Sequence, residues 1–398
     1  MSPSAARRPA PGTRGGRATS RGRPRRTAAD GGSRMDEVVR SARIVLCCGS
    51  GGVGKTSTAA ALALHAAELG RRTCVLTIDP ARRLAQALGL DLLSNEPRPV
   101  ARDLRGSGSL DAMMLDMRRT FDELIERYAR DAEQVDRILA NRFYQRVSST
   151  LAGTQEYMAM EKLYELHESR RWELLVVDTP PTRSALDFLD APENLNDLLD
   201  ARVFRLLIAP AQRIGRGYLR GLGLATTAMS RMVRRITGSE LLAEVGEFFA
   251  AFEGMYDGFR SRAQRVYDLL KDPGTQFVVV ATPDEPALRE AAFFAGRLAD
   301  DRMPLGAMVV NRVHRAGPVP AVPAEAMARL AGGSGTARLL ADLLDQHLAL
   351  AALAAAEQRR VAALLDSVPS LAAVQVPLLA DDVHDLPGLR RLGAHLFA

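Results

Sequence analysis

Apolar and polar positions along this 398-residue chain follow two rhythms. Short, mostly apolar runs have the length of strands buried on both faces. They are Ile44-Val45-Leu46-Cys47-Cys48, Thr73 to Ile78, Trp172 to Val177, Gln276 to Ala281, Met308 to Val310 and Val374 to Leu379. Between them lie longer stretches with helical spacing: Ser57 to Leu69, Ala112 to Arg170, and residues 193–271 with breaks near Pro210 and at glycines. A short helix is expected after Leu379, and residues 91–110, with Pro97 and Pro99, read as a loop. Strands alternating with helices predict an α/β fold, a doubly wound, mostly parallel sheet covered on both faces. The helical blocks at about 112–170 and 193–271 interrupt that alternation and are expected to pack together as an inserted α-helical subdomain. The chain then divides into a tail over 1–40 and one domain over 41–398.

The first strand runs into Gly49-Ser50-Gly51-Gly52-Val53-Gly54-Lys55-Thr56, and a helix begins at once behind it. This is the G-x-x-x-x-G-K-[ST] phosphate-binding loop in the strand–loop–helix setting it requires. Glycines let the backbone N–H groups of Gly51, Gly52, Val53, Gly54 and the following residues to Ser57 converge on an anion at a helix N-terminus. Lys55 is placed for the β/γ-phosphates of ATP, and the Thr56 hydroxyl for Mg²⁺. The chain has 53 Lys plus Arg but only three lysines, Lys55, Lys162 and Lys271, so a lysine here departs from its habit of using arginine. The sheet is therefore expected to be of the P-loop NTPase type.

Two carboxylates end strands: Asp79 in Thr77-Ile78-Asp79-Pro80-Ala81, and Asp178 in Val177-Asp178-Thr179-Pro180-Pro181-Thr182. Carboxyl ends of parallel strands are where ligands bind, so both are expected to face the nucleotide. Asp178 is the candidate Mg²⁺ anchor and Asp79 the candidate catalytic group that orients or deprotonates the attacking water, alongside Lys55.

In these motifs the chain resembles the ArsA/Get3 family of dimeric ATPases, in the larger class that also holds MinD, ParA and nitrogenase iron protein. Asp79-Pro80-Ala81-Arg82-Arg83-Leu84 is similar to the family's switch I, and Asp178 to Thr182 to its switch II. Val309-Val310-Asn311 is similar to the strand whose Asn reads adenine, and Phe277 to Pro286 to the family's A-loop, with Asp284 at its acidic position. Gly153-Thr154-Gln155-Glu156 is similar to a region near the family's subunit interface. The resemblance implies ATP binding by the loop, Asn311 and Asp284, and a cytoplasmic Mg²⁺-ATPase that switches a dimer to act on a protein client or membrane partner.

The departures are specific. Ser50 stands where the family's loop carries a lysine that reaches the partner's phosphates. The bacterial paired subtype, in which a sibling chain keeps that lysine, is the expected arrangement. The zinc-bridging C-x-x-C and the arsenite-binding cysteine triad are absent: Cys47, Cys48 and Cys74 all fall in predicted strands. Two other readings stay open, an ATP-binding regulatory subunit with little activity alone and a ParA/MinD-like positioning ATPase.

Charge adds two features. Residues 1–34 hold nine Arg and one Asp, so this tail makes the whole chain basic at +6 while the remainder is slightly acidic. Its Pro, Gly and Ser content predicts disorder. It reads either as a binder of nucleic acid or acidic membrane, or as a start-site artefact preceding Met35. Residues 201–238 hold eight Arg and no acidic residue, interleaved with Tyr218, Leu222, Met229, Met232, Val233 and Ile236. That suits a membrane surface or an apolar client helix, or else a solvated face over packed helices. The run Leu348 to Ala356 is short for a membrane span, and the N-terminus lacks the apolar segment of a signal peptide.

Overall fold

Five apolar residues in a row, all buried, make β1 (Ile44–Cys48) the middle of the molecule. The computed structural model describes residues 28–79, 83–100, 104–147, 154–180, 255–319, 323–368 and 371–398, with the isolated positions 244, 248, 251 and 321. Around β1 lie β2 (Arg72–Thr77), β3 (Arg98–Pro99), β4 (Ser109–Met114), β5 (Leu174–Asp178), β6 (Thr275–Ala281), β7 (Leu305–Val313) and β8 (Ala373–Pro377). Their order is β3-β4-β2-β5-β1-β6-β7-β8, and every pairing is parallel except that of β3 with β4. The chain winds outward from β1 to β2 and β4, returns to β5, then winds the other way through β6 to β8. The doubly wound, mostly parallel α/β sheet is present.

Helices cover the sheet: α1 (Ala28–Ser41), α2 (Lys55–Glu68), α3 (Arg83–Ala87), α4 (Met117–Tyr128), α5 (Ala132–Leu139), α6 (Arg142–Val147) and α7 (Thr154–Glu168), then α8 (Tyr256–Lys271), α9 (Glu285–Asp300), α10 (Ala324–Ala331), α11 (Thr336–Ser367) and α12 (Leu386–Leu396). α2 is wrapped on nearly all sides, burying Ala59 to Leu64 together with Ala66 and Ala67. Its alanines let the helix lie close to the strands, while Leu62 and Leu64 each contribute roughly 1.5–3 kcal/mol by leaving water.

Three expectations are corrected. The helical block drawn from Ala112 begins later, because Ala112, Met113 and Met114 are strand: they pair in register with Val75, Leu76 and Thr77 of β2. Ala and Met favour helix in isolation, but a waiting strand edge overrides that preference. The block is also divided by caps. The Asp116 carboxylate accepts from Arg119 N to open α4, and that of Asp131 accepts from Gln134 N to open α5. Second, the loop expected over 91–110 contains β3, with Pro99 on the sheet's edge where a missing N–H costs nothing. Third, residues 28–40 of the stretch read as tail are helical, and Met35, Val38 and Val39 bury into the core. Residues 1–27 and the basic segment 201–238 lie outside the described residues, as does most of the second helical block.

α11 had no counterpart in the sequence reading. An 18-residue window of this 32-residue helix has a mean hydropathy of 1.4, long and apolar enough to cross a membrane by length and composition.

Candidate nucleotide site

Register brings the site together. Asp178 closes β5 opposite Cys47 of β1 on one side and Thr77 of β2 on the other. The loop after β1, the turn after β2 and the carboxylate at the end of β5 therefore meet at one edge. The loop folds as its glycines dictate. A Cβ on Gly49 would stand 2.0 Å from the Val280 carbonyl oxygen of β6. Gly54, the N-cap of α2, has φ +96°, and a Cβ there would meet Asn311 Nδ2 at 2.3 Å. A side chain at Gly49 would push the loop off the sheet, and one at Gly54 would be strained by the left-handed backbone and would displace the Asn311 amide.

The chemistry-bearing groups are buried. Lys55 is 8% exposed, and its Nζ donates to the Ser50 carbonyl at 2.9 Å. Burial lowers its pKa, opposed chiefly by the nearby Asp178 charge. Asp178 is 1% exposed. Its Oδ2 accepts from the Thr56 hydroxyl at 2.7 Å and the Thr77 hydroxyl at 3.0 Å, while Oδ1 has no hydrogen-bond partner. Burial pushes this carboxyl up to about 6, against the Thr56 and Thr77 hydrogen bonds and the Lys55 charge, which favour the carboxylate. Thr179 anchors the start of the next segment, its hydroxyl donating to the Cys47 carbonyl at 2.9 Å.

A cavity of about 590 Å³ opens above these groups. Gly51, Gly52, Gly54, Lys55, Thr56 and Ser57 line it, as do Asp79, Asp178 and Asn311. Val53 is buried beneath, its carbonyl accepting from Asn311 Nδ2 at 2.8 Å. Asn311 thus braces the loop from β7 as well as facing the cavity. Asp284 lies elsewhere: it caps α9, accepting from Ala287 N at 3.1 Å and from the Thr282 hydroxyl, and it is not among the cavity residues.

Other lining residues escaped the sequence reading. Arg83 and Gln86 of α3 and Arg312 of β7 face the cavity, and Asp381 to His384 close its far side behind Leu378 and Leu379 of the expected last strand. Arg83 was visible inside the switch I motif, and Arg312 immediately follows Asn311 in a left-handed conformation at φ +59°. Thr77 was visible only as the residue two before Asp79; that it would reach Asp178 depends on strand register, which the sequence does not print.

Do the residues fit a divalent cation? Among the described residues no group of three or more His, Cys, Asp or Glu is gathered to hold a metal. Mg²⁺ rarely needs one, since it binds through one or two protein oxygens plus substrate phosphates and water. A buried carboxylate with one orphaned oxygen beside a threonine hydroxyl at the phosphate loop fits that demand.

Residues 42–319 match the family model of the anion-transporting ATPases, about 70% of the chain. The chain belongs to the anion-transporting ATPase family. Over 277 residues it is 26% identical to "ATPase get3" of Sclerotinia sclerotiorum, covering 69% of this chain and 73% of that protein. Over 160 residues it is 32% identical to "ATPase GET3" of Malassezia globosa, covering 40% and 45%. A Streptomyces coelicolor protein, "Uncharacterized protein SCO2128", is 33% identical over 200 residues, 48% of each chain. The chain spans about half the length of two of these three curated relatives. The family match ends at residue 319, and the chain carries α10, α11, β8 and α12 beyond it.

Proposed function

We propose that this chain is a Mg²⁺-dependent ATP hydrolase, and that hydrolysis switches a dimer between two states that act on a protein client or membrane partner. One observation carries the reading: the buried, orphaned Asp178 Oδ1 beside the Thr56 hydroxyl at the mouth of the phosphate loop. A buried polar atom without a partner is costly, and a ligand is the usual compensation. Mg²⁺ supplies neutralisation of phosphate charge when bound; Thr56 and Asp178 are the residues that would hold it.

The chain's own groups do the rest. Loop N–H groups and the N-terminus of α2 receive phosphate oxygens. Lys55 exchanges the Ser50 carbonyl for the β/γ-phosphates, a trade of a neutral acceptor for a charged one. Asp79, on the cavity wall after β2, orients the attacking water and takes its proton. Asn311 Nδ2 spends one of its two N–H groups on the Val53 carbonyl and has the second for the base, so one amide would join base binding to the shape of the loop.

Ser50 supplies no charge, so the dimer proposed is one with a sibling chain that keeps a lysine at the equivalent position. Arg83 and Arg312 on the cavity wall are the chain's own alternatives. ATP turnover of the purified chain, alone and with the sibling, tests the reading. Slow turnover alone, accelerated by the sibling, is expected. Rapid turnover by a homodimer of this chain would overturn the heterodimer, and no turnover in either preparation would leave an ATP-binding regulatory subunit instead.

A further inference from the structure

The long helix α11 carries a second, separate surface. His314, one residue past the end of β7, donates its backbone N–H to Glu357 Oε2 at 2.8 Å, and its Nδ1 lies 2.7 Å from Oε1. Val361 and Leu364 beyond that point are buried. The C-terminal third of α11 is thus fixed beside the end of β7, while residues 336–356 continue for roughly 30 Å at 1.5 Å per residue, meeting α10 and, through His347 Nε2, the Pro318 carbonyl at 3.2 Å. In the apolar window of that part only 6% of the residues are buried.

Four of the six exposed leucines there share one face, while Leu340 lies beside it and Leu348, 40% exposed, lies opposite. Leu339, Leu343, Gln346, Leu350 and Leu353 recur at spacings of four, three, four and three. That is the heptad seam of a coiled coil, with Gln346 as its single polar position. The four leucines are 58%, 53%, 36% and 41% exposed, and Leu340 flanks them at 46%. Ala341, on the opposite side of the helix, is buried. Among the described residues nothing covers the seam. Scattered exposed leucines need no explanation, but two heptads of aligned ones mark a contact surface.

The seam also specifies its occupant. Read in either direction it is Leu-Leu-Gln-Leu-Leu, with the spacing almost unchanged on reversal. A two-fold axis at Gln346 sets Leu339 against the partner helix's Leu353 position and Leu343 against its Leu350 position, and brings the two Gln346 amides together as mutual donor and acceptor. An isologous contact demands such self-complementarity, and an unrelated partner does not. A membrane span fits poorly: Asp342 and Asp345 lie inside the apolar window, and the helix's C-terminal end is tied to the sheet beside β7. We propose that two copies of this chain associate through an antiparallel pairing of their α11 helices about Gln346, independently of nucleotide and of whichever chain completes the ATP site.

The test uses the full chain. Sedimentation velocity without nucleotide should show a concentration-dependent dimer at micromolar protein. Leu343→Glu with Leu350→Glu should weaken it at least tenfold while leaving ATP binding unchanged; both residues are exposed, so the fold should survive, as thermal melting would show. The three natural cysteines are buried, so an introduced one reports cleanly. Gln346→Cys should form a disulfide-linked dimer under mild copper-phenanthroline oxidation, and Ala355→Cys, two and a half turns on and on the opposite face, should not. A wild-type monomer across that range, a dimer insensitive to the two glutamates, or equal cross-linking at both positions would overturn the proposal. So would a monomer that binds phosphatidylglycerol vesicles in a seam-dependent way, which would assign the surface to lipid.

Discussion

Buried charge is handled differently at the two ends of this protein. In the helical layer, Glu161 of α7 is 2% exposed, and both of its carboxylate oxygens are engaged locally. Arg262 of α8 meets Oε2 at 2.5 Å, the Tyr157 hydroxyl donates to Oε1 at 2.8 Å, and the Arg262 guanidinium lies 4.5 Å over the Tyr164 ring. Burial raises the Glu161 pKa, with the Arg262 charge as the main opposing influence. At the carboxyl edge of the sheet, Asp178 is equally buried but keeps one oxygen orphaned, and Lys55 is satisfied only by a neutral carbonyl. A closed cluster has nothing left to bind with and serves the fold. An open one stores its unmet demand for a ligand, and that difference, more than burial or pKa, separates a structural charge from a functional one.

The comparison breaks most readily by substitution. The largest effect is expected at the open end: Asp79→Asn should bind ATP yet turn it over about 10²–10⁴-fold more slowly, since a positioned base is lost. Lys55→Ala should abolish nucleotide binding. Full turnover by Asp79→Asn in a steady-state phosphate-release assay would remove Asp79 from the reaction. At the closed end, Arg262→Met should destabilise the protein by about 3–5 kcal/mol by stranding the Glu161 charge, with nucleotide affinity unchanged in the folded protein. Denaturant melts together with nucleotide titrations check both halves. Asp178→Asn should have the opposite sign: the ligand-free protein gains on the order of 1–3 kcal/mol because an uncompensated buried charge is gone, while Mg²⁺-dependent affinity falls. A destabilised Asp178→Asn protein with intact Mg²⁺ dependence would make Asp178 a structural residue like Glu161.

The open end was far more legible in the sequence than the closed one. The phosphate loop is a local motif: Gly49 to Thr56 encode their own conformation, and β1 before them needs only its apolar run. Asp79 and Asp178 could be read because strands end visibly. What brings Thr77 and Asp178 together, or sets Asn311 on the Val53 carbonyl 258 residues away in sequence, is register across the sheet, which no local pattern states. The Glu161–Arg262 pair crosses two helices for the same reason. Local signals were also overruled. Ala112 to Met114 have helix-favouring residues but meet the edge of β2, and Asp284 serves to cap α9. The seam of α11 is a local pattern too, but the length of the apolar run Leu348 to Ala356 does not reveal it, because a four-three spacing is invisible to that measure.

The smallest expected effect is the most diagnostic of the open site. Burial holds the folded Asp178 carboxyl at about 6, above its unfolded value of 3.8. A raised folded pKa means that the folded, ligand-free protein binds this proton more tightly than the unfolded chain does. Its stabilising contribution is present below about pH 4 and is lost as the pH rises through about 6. Ligand-free protein should therefore lose melting temperature between about pH 4.5 and 6.5 relative to Asp178→Asn, which lacks the group. Mg²⁺–nucleotide needs the carboxylate, so its binding should go the other way, tightening as pH rises through the same window. At pH near 6 each binding event should release a fraction of a proton. Calorimetric titrations of Mg²⁺–ADP in two buffers of different ionisation enthalpy would count that proton, and Asp178→Asn should abolish it. Equal apparent enthalpies in the two buffers would mean that Asp178 is already ionised before the ligand arrives, and the open site would then owe its character to the orphaned oxygen alone.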